Sequence, residues 1–199
     1  MEIDSLVNNQ RDMIIDNLRP LADAGRLLGL CEGNHETAIK KHYSFDVMKD
    51  VCRSLNTPYL GYSFFYRLTL TKGSHNTKQN VIIYGTHGFG GSRRGGGAMN
   101  RRELLMTYYN ADIILMAHDH HKFGRRFIRL GISACDKPRL VKKPVIIAAT
   151  GSFKKTLVEG HTTWEETMGF PPNDIGVVRI NINIKYEGKN EKLDMHISE

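Results

Sequence analysis

Apolar residues near the amino end of the chain recur at the spacing of one helix face. The stripe consists of Val7, Ile14, Leu18 and Leu21. This spacing predicts a helix over about residues 5–24, and similar spacing predicts helices over about residues 44–55 and 101–109. Asn100 stands at the capping position of the last of these helices, and Glu103 follows three residues later, close to a capping box.

Strands are predicted where apolar residues run continuously or alternate with polar ones. The continuous runs are RLLGLC at 26–31, NVIIYG at 80–85, DIILMA at 112–117 and PVIIAAT at 144–150. DIILMA and PVIIAAT are typical of strands that are buried on both faces, and RLLGLC is typical of a short buried strand. We expect YSFFYRLTLT at 62–71 to pair with NVIIYG around the polar loop KGSHNTKQ. In VVRININI at 177–184, isoleucine alternates with asparagine, which predicts a strand with one exposed face.

The order of these elements predicts an α/β layered fold, because strands alternate with helices at first and then dominate. No internal repeat or long linker interrupts the chain. A single domain over residues 1–199 is therefore expected.

The composition indicates a globular protein, since the 199 residues are 40% hydrophobic and 25% charged. Three cysteines with no CxxC pair favour reduced thiols and exclude a disulfide framework or a zinc ribbon. The polar amino end is unlike a secretory signal, and no apolar run reaches the ~20 residues of a membrane helix. We expect a cytoplasmic protein that makes no membrane contact.

The net charge of +7 is concentrated in residues 122–143, which hold eight Lys or Arg and one Asp. A smaller basic cluster brackets a glycine run and consists of Arg93, Arg94, Arg101 and Arg102. Basic patches attract phosphates, and a solvated basic face is the alternative interpretation. In GFGGSRRGGG at 88–97, glycine amides with Arg93 and Arg94 are predicted to bind a substrate phosphate, the alternative being a mobile loop.

Histidines follow the predicted strands at their carboxyl ends, where open α/β sheets hold ligands. GNHE at 33–36 follows RLLGLC, His87 follows NVIIYG, and His118 and His120 follow DIILM. A single histidine after a strand is more often structural, but imidazole nitrogens gathered with an amide oxygen suit zinc, manganese, iron or nickel. On a continuing strand His118 and His120 would share one face, and on a tight loop they would face two ions.

In order and spacing, GNHE, His87 and AHDH at 117–120 resemble the calcineurin-like metallophosphoesterase superfamily, in its phage and bacterial type. The resemblance implies a layered α/β/β/α sandwich and two-metal hydrolysis of phosphoesters. It implies that Asn34, His87 and His118 ligate one ion and that His120 ligates the other. It also implies that His35 protonates the leaving oxygen or stabilises phosphoryl charge, and that Glu36 orients His35. Manganese is the family's common ion, and iron, zinc or nickel are alternatives.

Two earlier motifs of the family, DxH and GDxxD, do not occur before residue 33. Family spacing places Met1 where the aspartate that bridges both ions belongs, and methionine cannot bridge hard divalent ions. We therefore expect a domain that is incomplete at its amino end and lacks its first strand or strands. Such a chain would hold one ion or none and would be weak or inactive alone.

The expected function is metal-dependent hydrolysis of a phosphoester, with a phosphodiester of DNA or RNA favoured by the basic segment. A rival is a metal-free nucleic-acid-binding module that uses residues 88–102 and 122–143. A third possibility is a regulatory or structural remnant of a phosphoesterase.

Overall fold

A computed structural model describes residues 3–72, 77–91, 93–187 and 190–198. The chain divides into two compact units, Met1–Phe64 and Phe65–Glu199. The single domain expected from the sequence stays a prediction. Met1, which the family spacing singles out, lies outside the described residues.

The described part of the first unit contains the helices α1 (Ile3–Asp23), α2 (Asn34–Tyr43) and α3 (Val47–Ser54). Helices α1 and α3 confirm the first two predicted helices. They pack together through a small core of Ile15, Val51 and Leu55. Helix α2 was not predicted, and it begins inside the GNHE motif.

The strand predicted at 26–31 is wrong. The segment forms one isolated bridge, between Leu30 and Tyr59. Around it, the Leu30 N–H donates to the Pro58 carbonyl at 3.0 Å, and the Leu60 N–H donates to the Leu30 carbonyl at 2.8 Å. Because Pro58 has no N–H, the facing segment cannot continue a ladder. GNHE therefore follows a short extended segment rather than a sheet strand.

All but the first two residues of β1 lie in the second unit, with every later strand. The strands are β1 (Ser63–Lys72), β2 (Thr77–Thr86), β3 (Ile113–Met116), β4 (Lys122–Ile132), β5 (Leu140–Ser152), β6 (Gly176–Val177), β7 (Arg179–Glu187) and β8 (Asn190–Ser198). Residues 73–76 of the predicted loop KGSHNTKQ lie outside the described residues. The strands predicted from NVIIYG, DIILMA, PVIIAAT, YSFFYRLTLT and VVRININI are confirmed.

One mixed sheet has the strand order β1-β2-β3-β5-β4, with β6 paired to β5. Strands β2, β3 and β5 run parallel, and β4 is antiparallel to β5. Strands β7 and β8 pair only with each other among the described strands. The carboxyl ends of β2, β3 and β5 consequently open on the same edge of the sheet.

Helix α4 (Gly95–Tyr108) packs on one face of this sheet, where Leu105 joins a core of Tyr84, Ile114 and Ile147. The β7–β8 pair packs on the other face, where Met195 joins a second core of Val81, Ile113 and Ile146. Along β7 the isoleucines Ile180 and Ile182 turn toward that core, as the alternation predicts. The α/β class is confirmed.

Helix α4 begins at Gly95, earlier than the predicted start at residue 101, and Arg94 rather than Asn100 is its N-cap. The predicted capping box is wrong. A glycine run is a poor helix former in isolation. Here burial of Ala98 and Arg102 holds the first turns in place, so tertiary contacts override the local preference. A last short helix, α5, spans Trp164–Thr167. In the described part of the chain, no helix combines the length and apolarity needed to cross a bilayer.

Candidate functional site

The parallel pairing of β2 and β3 brings two histidines together. Thr86 is the register partner of Met116, His87 follows Thr86 directly, and His118 comes two residues after Met116. The Nε2 atom of His87 lies 3.0 Å from the Nδ1 atom of His118. The two rings meet edge to face, with centroids 5.0 Å apart. Two imidazole nitrogens thus converge at the carboxyl edge of the sheet, half-buried from solvent.

A glycine makes this convergence possible on the β2 side. Gly88 has a φ of 95°, a backbone conformation that favours glycine. A Cβ atom at this position would lie 2.6 Å from the Cε atom of Met116. The absence of a side chain lets the segment after His87 pass close to the end of β3.

The AHDH motif forms a tight turn, so the alternative of a continuing strand is wrong. Strand β3 ends at Met116, and both His118 (φ 74°) and His120 (φ 58°) adopt left-handed backbone conformations. The Asp119 N–H donates to the Ala117 carbonyl at 3.0 Å inside this turn. The two histidines therefore stand on either side of a buried aspartate.

Asp119 is held by two arginines from α4. Arg102, fully buried, donates to both Asp119 carboxylate oxygens, at 2.9 and 2.8 Å, and also to the carbonyls of Met116 and Ala98. Arg101 donates to the same carboxylate at 3.0 Å. Burial by itself raises the pKa of Asp119, but the hydrogen bonds and charge of Arg102, helped by Arg101, outweigh burial and lower this pKa.

The pairing of Arg101 and Arg102 with Asp119, the arginine clamp, corrects one sequence expectation. The sequence places these two arginines in a basic cluster that attracts phosphates, but both pair with Asp119 within the fold. A buried guanidinium bound to a carboxylate on two sides is committed to that partner. Only Arg93 and Arg94 of this cluster remain exposed.

Glu165 is a site residue that sequence reasoning missed. It lies in α5, is 2% exposed, and its Oε1 atom stands 3.8 Å from the Nδ1 atom of His120 and 2.5 Å from the Nζ atom of Lys154. Thr163 caps this helix by accepting from the Glu166 N–H at 3.1 Å. The spacing of Thr163 and Glu166 is a helix-start signal, so the helix was foreseeable, whereas the burial of Glu165 was not.

The pKa values of this group follow from burial and the nearby charges. Burial and the Lys154 ammonium lower the pKa of His120, against the opposing effect of the Glu165 carboxylate. Burial alone raises the pKa of Glu165, but its hydrogen bond to Lys154 outweighs burial and lowers this pKa. His120 is therefore favoured in its neutral form, the form in which an imidazole binds metals.

Asn34, His35 and Glu36 open helix α2 in the first unit. Asn34 and His35 are exposed, and the Glu36 Oε2 atom accepts from the Gly33 N–H at 2.8 Å. Glu36 thus caps its own helix, and its predicted contact with His35 stays a prediction. The joint action of Asn34 and His35 with the histidines of the second unit stays a prediction as well.

The basic segment 122–143 forms β4, the connection that follows it and the beginning of β5. Two of its cations serve the fold: Arg129 donates to the Met106 carbonyl, and Lys122 pairs with Asp174. The exposed cations, the basic ribbon, are Arg125, Arg126, Lys137, Arg139, Lys142 and Lys143, of which Arg125 lies 3.8 Å from Glu103.

The histidine pair fits a metal ion in part. The His87 and His118 nitrogens lie within hydrogen-bond distance of each other, at 3.0 Å. Two donors that each lie ~2.1 Å from one ion at a right angle, the angle of an octahedral site, would have the same separation of ~3.0 Å. Among the described residues, no group of three or more His, Cys, Asp or Glu is arranged to hold an ion. Asparagine is not one of these four residue types. An ion bound by His87 and His118 would need a further donor, such as an asparagine side-chain oxygen.

Comparisons with known proteins give no relative: no family model, no curated protein and no solved structure matches the chain. The function proposed below therefore depends on the ordered motifs and on the geometry at the edge of the sheet.

Proposed function

We propose that this chain is a metal-dependent phosphoester hydrolase of the calcineurin-like type, with phosphodiesters of nucleic acid as favoured substrates. One observation carries the proposal: the His87 and His118 nitrogens converge to 3.0 Å at the carboxyl edge of parallel strands. This is the edge at which α/β sheets bind ligands. The packing of α4, the mixed sheet and the β7–β8 pair supports three layers of the proposed α/β/β/α sandwich.

The proposal assigns His87 and His118, together with Asn34, to one ion and His120 to a second. Bound divalent ions, manganese in the family's common case, would polarise the phosphoryl group and lower the pKa of water. His35 would donate a proton to the leaving oxygen. The Arg102–Asp119 ion pair positions His118 and His120 by fixing the turn that carries both.

Metal binding is the first test, because it does not require an active enzyme. We expect Mn²⁺ to bind the purified chain in calorimetric titrations, and His118→Ala to weaken binding at least ~10-fold, since losing even a residue that only supports a ligand has an effect of this size. His161→Ala is the matched control, because His161 is an exposed histidine in a turn of the same unit. Equal Mn²⁺ affinity in both variants, or no binding to the unmodified chain, would refute the assignment.

Hydrolysis is the second test, with bis-(p-nitrophenyl) phosphate as substrate and Mn²⁺ present. DxH and GDxxD do not occur before residue 33, where the family has them, so we expect slow turnover that His118→Ala and His87→Ala abolish and His161→Ala preserves. Fast turnover with two bound ions per chain would show that the expected weakness of the chain alone is wrong.

The basic ribbon favours a second candidate function, metal-free binding of nucleic acid. Exposed cations on paired strands attract the phosphate backbone without reading sequence. Under this alternative, DNA binding would fall steeply with salt and would be unchanged by EDTA. Neutralising Lys142 and Lys143 to glutamine would then weaken binding, while His118→Ala would have no effect.

A further inference from the structure

A cleft of about 660 Å³ lies within the second unit, between the amino end of α4 and helix α5. Its lining residues are Gly91, Arg93, Arg94, Gly97, Trp164, Met168 and Phe170. No acidic side chain occurs among these described lining residues. The cleft thus combines an arginine wall with an aromatic wall.

The aromatic wall leaves large apolar surfaces in contact with solvent. Trp164 is 55% exposed and Met168 is 41% exposed. The Trp164 ring stacks on Phe170, with centroids 5.7 Å apart and an interplanar angle of 30°, which restricts how the indole can turn. Trp164, Met168 and Phe170 line the same cleft, and a contiguous exposed apolar surface rimmed by charged groups is typical of an interaction site.

The opposite wall is positive. Arg93 and Arg94 are exposed cations, and Gly97 brings the first turn of α4 to the cleft. The amino end of a helix carries partial positive charge, which adds to that of the two guanidinium groups. A planar aromatic platform opposite an anion-binding wall suits a ligand with a flat ring and a phosphate.

The cleft adjoins the histidine site through α5. Trp164 precedes Glu165, which lies 3.8 Å from His120. Lys154 contacts both residues, because its Nζ atom is 2.5 Å from the Glu165 carboxylate and lies over the Trp164 ring, 5.1 Å from the ring centre. A strand bound in the cleft would therefore lie close to His120, one of the proposed metal ligands. A base that stacks on that face of the indole would take the place of the ammonium group.

We infer that this cleft binds one nucleotide of a single-stranded nucleic acid, with the base stacked on Trp164 and the phosphate held by Arg93 and Arg94. The inference deepens the proposed function by naming the substrate as a single strand. Its link to hydrolysis rests on that proposed function. Stacking on an aromatic side chain accepts every base, so binding is expected to be largely independent of sequence.

Trp164 is the only tryptophan of the chain, so its fluorescence reports on the cleft alone. The probe is an oligothymidylate of about ten nucleotides, within the usual site size for single strands, titrated in EDTA at low salt. We expect it to quench Trp164, whereas an abasic oligonucleotide of equal length binds without quenching. Because EDTA removes metals, quenching is expected even if the chain proves not to be a metal-dependent hydrolase. Conversely, a lack of quenching would overturn the single-strand inference without affecting the Mn²⁺-binding test.

Affinities are then measured by anisotropy of a labelled oligothymidylate. Trp164→Ala should weaken binding roughly 5-fold or more, and Trp164→Phe should retain most of the affinity. Arg93→Gln with Arg94→Gln should weaken binding and flatten the slope of log affinity against log salt by roughly one. The matched controls are Tyr108→Ala, which removes an aromatic side chain that is 72% exposed, and Arg53→Gln, which removes a surface arginine of the first unit.

Circular dichroism verifies that each variant is folded. The inference is overturned if oligothymidylate binds without quenching Trp164, or if Trp164→Ala and Tyr108→Ala have equal effects. It is also overturned if thymidine monophosphate or duplex DNA binds as tightly as the single strand.

Discussion

Replacing Arg102 by methionine tests the role of the buried ion pair. The substitution removes hydrogen bonds of 2.7–2.9 Å to Asp119, to Met116 and to Ala98. Of the two arginines that donate to the buried Asp119 carboxylate, only Arg101 would then remain, at 3.0 Å. Breaking a buried ion pair from one side typically costs ~3–5 kcal/mol. We expect the free energy of unfolding to fall by about that amount, a large part of a typical domain's stability.

Urea unfolding followed by the fluorescence of Trp164 measures this loss in the second unit, where that residue lies. Arg101→Met is the matched control, because it removes one hydrogen bond of a partly exposed side chain and should cost only about 1.5 kcal/mol. Replacing Arg102 and Asp119 together by methionine and leucine should recover much of the loss, since apolar residues often substitute well for a complete pair. If Arg102→Met costs no more than Arg101→Met, the clamp does not hold the turn.

Two further predictions concern stability. Gly151→Ala should be strongly destabilising in urea unfolding, because the added Cβ atom would lie 2.1 Å from the backbone oxygen of Gly176. Gly160→Ala is the control, because Gly160 also has a positive φ but an added Cβ atom would meet nothing within 4 Å. It should lower the free energy of unfolding by only ~1–2 kcal/mol. Asp46 caps α3 and pairs with Lys40 at 2.8 Å; burial alone raises its pKa, but Lys40 and the cap lower it overall. Its stabilisation should be present above the ordinary pKa of 3.8 and fade as pH falls through the lowered folded value. Asp46→Ala should therefore lower the free energy of unfolding by ~1 kcal/mol at neutral pH and by less in acid, and an equal loss at both pH values would contradict this account.

Elements with strong local periodicity could be predicted from the sequence, and elements set by distant partners could not. The apolar runs of β3 and β5 and the alternation in β7 identify strands, because in each strand the apolar positions of the sequence are the positions that pack into a core. RLLGLC has an equally apolar pattern, but its partner segment contains Pro58 and only one bridge forms. The early start of α4 depends on the burial of Arg102, which no local pattern in the glycine run reveals.

The candidate site divides in the same way. Parallel neighbouring strands place His87 beside His118, and this follows from strand order and the position of each residue after its strand. The left-handed turn and the partner of Asp119 do not follow, because Arg102 comes from a different element of the chain. The approach of Glu165 to His120 likewise joins segments far apart in sequence.

The turn at AHDH is not a portable motif by itself. Two non-glycine residues in left-handed conformations cost ~1–2 kcal/mol each, so the isolated tetrapeptide would prefer other shapes. A protein designer who grafts these four residues onto another parallel sheet should also transfer an inward-pointing arginine on the covering helix. A glycine after the neighbouring strand must accompany it, because any larger residue there would collide with the methionine that precedes the turn. The smallest transferable unit therefore spans two strands and a helix.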